Sequence, residues 1–205
     1  MNKTWLYFSA VVICIALYLT GCGRKEDVSV NDNIEAYQQA IRINPNNDVA
    51  YNGLGIEYGM RGEYEKSIAA FNKAIELNPE QAKYYDNIGV VYGNIGKIDL
   101  AIQQHLKALE LDPYSANAYY NLGICYNDKT ELDKAIDSWD KAFKLAPENY
   151  LLPYNMGVCY MEKLEYEKAK EYFNKSLELR PDQEIKKRIL HYLDRIENLP
   201  SKDNL

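Results

Sequence analysis

Few side chains in this 205-residue sequence could do covalent or metal chemistry, and their spacing works against it. The two histidines, His105 and His191, are far apart in sequence, and neither stands in a Cys/His/carboxylate cluster at metal-ligand spacing. Cys125 and Cys159 lie 34 positions apart and read as small core residues. Gly53-Leu54-Gly55 lacks a third glycine at the dinucleotide-binding offset and follows no strand. Neither a phosphate loop nor a Gly-x-Ser-x-Gly turn occurs. The expectation is no enzyme, no cofactor and no metal. One residue does invite chemistry. Cys22 lies just past an uncharged run from Trp5 to Leu19, and a nucleophilic sulfur at the end of such a run can accept a lipid.

The elements around Cys22 fit that role. Lys3 and the amino terminus are positive, and the apolar run that follows is shorter than the roughly 20 residues of a spanning helix. Leu19-Thr20-Gly21-Cys22 resembles the lipobox of bacterial lipoproteins. The resemblance implies a signal peptide over residues 1–21, cleavage before Cys22 and lipid attachment to its sulfur. Residues 22–30 then form a polar tether to an envelope membrane, and Gly23 fits outer-membrane sorting, on the periplasmic face, in a Gram-negative cell. The competing reading keeps the apolar run as an uncleaved anchor.

Composition narrows the partners. Net charge is −6, which argues against nucleic acid, and 47% hydrophobic with 26% charged residues excludes a disordered chain. Nineteen tyrosines against four phenylalanines show amphipathic rings used at many equivalent places.

Those places recur on a ruler of 34 residues. Pro45, Pro79, Pro113, Pro147 and Pro181 mark it, as do Gly55, Gly89, Gly123 and Gly157, and Tyr58, Tyr92, Tyr126 and Tyr160. A small residue at Ser67, Ala101, Ala135 and Ala169 is followed by a ring at Phe71, His105, Trp139 and Phe173. Within one unit the apolar spacing is helical twice, through Tyr51, Leu54 and Tyr58 and then through Ile68, Phe71 and Ile75. Small residues such as Gly55 and Ser67 would let the two helices approach, and Gly62 and Gly96 would stop the first helix. Thr130 and Leu164 replace those glycines in the later units and leave their turns open. His105, at the ring position, reads as a partly buried spacer.

This pattern resembles the tetratricopeptide repeat. The resemblance implies an all-α right-handed superhelix, an α-solenoid, with repeats at 48–81, 82–115, 116–149 and 150–183. A half-repeat helix (31–47) would precede them, and a capping helix (184–197) with a loose tail (198–205) would follow. In this family the first helix of each unit lines a concave groove. The resemblance carries the groove onto Asn52, Ile56, Asp86, Asn87, Val90, Asn94, Tyr120, Asn121, Ile124, Asn127, Tyr154, Asn155 and Val158. Aliphatic Ile56, Val90, Ile124 and Val158 form one row, and Asn87, Asn121 and Asn155 form an amide row broken by Gly53. Amides both donate and accept, so that row suits the backbone of an extended peptide, or else bonds neighbouring repeats. The bases of a carboxylate clamp are absent, since Lys83 stands alone. The function implied is an exported, membrane-anchored adaptor that holds an envelope protein, as pilotins and related lipoproteins do. A structural, self-associating component is the alternative.

Overall fold

The computed structural model describes residues 30–199. The apolar run, Cys22, nearly all of the tether and most of the tail lie outside the described residues. Among the described residues the chain forms ten helices and no strand: α1 (Val30–Ile43), α2 (Asp48–Met60), α3 (Tyr64–Leu77), α4 (Ala82–Asn94), α5 (Ile98–Leu111), α6 (Ala116–Asp128), α7 (Leu132–Leu145), α8 (Leu151–Glu162), α9 (Tyr166–Glu178) and α10 (Gln183–Glu197). They pack in sequence order, most closely as the pairs α2/α3, α4/α5, α6/α7 and α8/α9. First helices of successive pairs also touch, α2 with α4 and α4 with α6, whereas no two second helices are in comparable contact among the described residues. The stack therefore curves with first helices on the inside. It is an α-solenoid.

Each pair is locked by a ring set against a glycine. A methyl group on Gly55 would lie 2.6 Å from the Phe71 ring, on Gly89 2.7 Å from His105, on Gly123 2.4 Å from Trp139 and on Gly157 2.7 Å from Phe173. Phe71 and Phe173 are almost wholly buried there. Gly55 and Ser67 let the two helices approach as small residues: Gly55 makes room for the Phe71 ring. Ser67 donates its Oγ hydrogen to the Gly55 carbonyl at 2.6 Å. His105 is more than a partly buried spacer, at 1% exposure.

The turn between paired helices is the same in all four units. Glu63 N donates to Tyr58 O, Lys97 N to Tyr92 O, Glu131 N to Tyr126 O and Glu165 N to Tyr160 O, each at 2.9 Å. These six-to-one bonds close the first helix and need a left-handed residue just before them. Gly62 and Gly96 supply it at φ 74° and 76°, and Thr130 and Leu164 adopt it at φ 60° without glycine's freedom. Tyrosine at the third residue from each first helix's end serves the outer wall. Lys66, Lys134 and Lys168 place their ammonium groups 5.4, 5.3 and 5.2 Å from the ring centres of Tyr58, Tyr126 and Tyr160.

Single helices flank the four pairs. At the front, the Tyr37 ring of α1 packs on Gly53 of the next unit, where a methyl would lie 2.4 Å from it. This is why the amide row starts only at Asn87. At the back, α10 buries Ile189 and Ile196 against Tyr154, Ala169 and Phe173, and Tyr192 stacks on Phe173 at 5.1 Å. Asp182 caps α10 by accepting from Ile185 N.

Candidate peptide-binding groove

The first helices α2, α4, α6 and α8 carry every residue assigned to the groove, because one helical face repeats at the fifth, sixth, ninth, twelfth and thirteenth places of each unit. The aliphatic row is partly open to solvent, with Ile56 exposed and Val90, Ile124 and Val158 half-buried. Asn94 is exposed, and Asn127 accepts a weak bond from the Cys159 thiol at 3.4 Å. Asn52 and Tyr154 are buried, so they contribute to the wall less than their neighbours.

The amides are engaged, and with side chains rather than backbone. Asn87 Nδ2 donates to Asn52 Oδ1 at 2.8 Å. Asn121 Nδ2 donates to both Asp86 oxygens at 3.2 Å. Asn155 bonds the Tyr120 hydroxyl, whose ionisation burial pushes upward and this bond pulls back. At the end of the row Arg188 of α10 bonds Tyr154. Each unit's fifth place thus meets the next unit's sixth, and the ladder ties first helices together along the inner wall. An asparagine has two N–H donors and an acceptor, so a rung leaves capacity for a ligand.

One rung reaches the core. Asp86 Oδ1 lies 2.7 Å from His105 Nδ1, which pairs a buried imidazole with a partly exposed carboxylate in the second unit. Sequence reasoning missed this pair. Its signal was the exchange of a ring hydrocarbon for imidazole at a place where the wall above holds aspartate. Beside the pair, a cavity of about 330 Å³ opens between Lys83, Asp86, Asn87, Leu111, Asp112 and Asn117. Lys83 sits 5.6 Å from the centre of the Tyr84 ring and is the one base among the described residues lining that cavity.

The Cys125 and Cys159 thiols are free, buried and pushed up to about 12 by desolvation, so neither is a thiolate at neutral pH. No group of three potential ligands able to hold a metal occurs among the described residues. No helix among them is long and apolar enough to cross a membrane.

Comparisons with known proteins agree with this architecture. One tetratricopeptide repeat model matches residues 49–81, 116–149 and 154–183, another matches 70–103, and a TPR repeat model matches 94–129. The crystal structure of MamA is 30% identical, with a TM-score of 0.66, over 71% of this chain and 85% of that one. YrrB, described as a TPR protein with an unusual peptide-binding site, is 25% identical with a TM-score of 0.66 over 80% of this chain and 84% of its own. The Pseudomonas aeruginosa pilF protein shares the fold with a TM-score of 0.71 at 19% identity, over 81% of this chain and 76% of that one. No curated protein matches the chain. Ring-in-glycine pairs, the closed left-handed turns and these matches together make the chain a member of the tetratricopeptide repeat family.

Proposed function

We propose that this chain is a lipid-anchored adaptor of the bacterial envelope, which holds a segment of another envelope protein against its inner wall. The single observation that carries the reading is the row Ile56, Val90, Ile124 and Val158, which leaves aliphatic surface partly open on the curved inner face beside a ladder of amides. Apolar side chains of a bound segment would dry that row, and the remaining amide donors and acceptors would take its backbone. The repeat family supports protein binding in general, and the peptide-binding site in the description of YrrB supports a peptide. The anchor is Cys22, read from the lipobox-like sequence before it; two or three acyl chains hold a protein stably where one holds only marginally.

Two variants test the halves of this reading separately. Ile56→Asp places a charge at the exposed position of the open row, and should keep the melting temperature while losing partners in pull-downs from envelope extract. Unchanged partners would move binding off the wall and favour a structural, self-associating role. Cys22→Ala should stop processing and lipid incorporation. A processed, lipid-bearing variant would reject Cys22 as the anchor.

A further inference from the structure

The junction between the second and third units is built differently from its neighbours. In the first junction the Tyr84 ring is wholly buried, and its hydroxyl and the Asn78 amide both donate to Asp48 Oδ2 at 2.9 Å. One repeat later the places of that ring, amide and carboxylate hold Ala118, Asp112 and Ala82. In the third junction Leu152 is again buried at the ring's place. Only the second junction is left without a large side chain there, and the cavity of about 330 Å³ opens in it, between Ala82 and Asp112. Its lining joins apolar Ala108 and Leu111 to three acids, Glu80, Asp86 and Asp112, set against the one base Lys83 among the described residues. Asp86 is fixed in place: buried His105 holds Oδ1 at 2.7 Å, and the Asn121 amide donates to both oxygens at 3.2 Å. Those bonds leave acceptor capacity on Oδ2. A part-apolar hollow with an excess of acids suits a cation carried on an alkyl stem.

We infer that this cavity takes a basic side chain, arginine or lysine, from the segment held along the inner wall, and so selects which segments bind. The inference rests on the reading of that wall as a binding groove. The stem of the basic residue packs on Leu111, and its charged head meets Asp86 and Asp112. Asp86 precedes Val90 of the aliphatic row by four residues on α4, about 6 Å along the helix. Two residues of an extended segment cover about 6.6 Å. The selected segment therefore carries its basic residue two positions from an aliphatic one.

Calorimetric titration of the full chain in mild detergent with acetyl-Val-Ser-Arg-Ser-Val-amide tests this, since the peptide presents the same spacing in either direction. Exchanging its arginine for citrulline, which keeps the shape and removes the charge, should weaken binding at least about tenfold. Asp112→Asn should shrink that difference at least about threefold. Ala118→Tyr, which fills the cavity with the ring of the first junction, should erase it. If Ala118→Tyr does not fold, Asp112→Asn decides alone, because it leaves the bonds of Asp86 to His105 and Asn121 intact. Equal binding of the two peptides, binding of neither, or a difference untouched by Asp112→Asn would overturn the proposal. Failure of the groove reading looks different. Serine in place of both valines would then leave the affinity unchanged while the arginine dependence persisted, which supports the cavity and contradicts the wall.

Discussion

Single residues decide whether the helix pairs close. A methyl on Gly123 would meet Trp139 Nε1 at 2.4 Å, and that nitrogen is itself fixed by donating to the Tyr120 carbonyl at 3.1 Å. The ring cannot retreat without breaking its bond, so Gly123→Ala should cost about 1–3 kcal/mol, read as a lower denaturation midpoint. Another residue-scale tie spans two units: buried Tyr84 and the Asn78 amide both donate to Asp48 Oδ2 at 2.9 Å. Those bonds, Asn78 first, hold the Asp48 carboxyl below its usual range, whereas burial and then Asp48 push Tyr84 up to about 12. The signs differ. The Asp48 contribution is present above about pH 4 and is lost as pH falls through its lowered value. The Tyr84 contribution is present below about pH 10 and is lost as pH rises through about 12. Tyr84→Phe should therefore flatten the stability profile at both extremes, and an unchanged profile would show that the bond does not couple to folding.

At the level of elements, the sequence told more about helices than about what joins them. The 34-residue ruler placed rings, glycines and prolines correctly because each is a packing requirement that only a few residue types meet. The later turns were illegible, because Thr130 and Leu164 are poor left-handed residues held in place by the bonds around them. Leu164 is exposed, so its strain is not offset by burial. Leu164→Gly should relax the turn and stabilise the fourth unit by about 0.5–1 kcal/mol, measured by urea denaturation. The amide row was legible as residues but not as a ladder, since its rungs join different units. The pairs Asn52/Asn87, Asp86/Asn121 and Tyr120/Asn155 each sit 35 positions apart, one more than the repeat. The His105–Asp86 pair escaped for the same reason: its meaning depends on what stands behind the wall rather than on the local spacing.

The whole molecule is a one-dimensional stack, so its stability depends on its ends, and the binding proposed for it belongs to its inner wall. Ile189 is wholly buried under the last pair, and Ile189→Ala should cost about 2–4 kcal/mol and loosen the fourth unit before the first. Hydrogen exchange resolved by helix would show α8 and α9 losing protection ahead of α2 and α3; uniform loss would mean the array unfolds as one block. The curvature inferred from contacts between successive first helices leaves Leu106 on α5 facing outward while Ile124 on α6 faces in. The most direct measurement is a photo-reactive amino acid placed at Ile124 or at Leu106 in living cells, with adducts identified by mass spectrometry. The account predicts a discrete protein adduct from Ile124 and none from Leu106. Adducts from Leu106 alone would put the binding surface on the outer helices and contradict it.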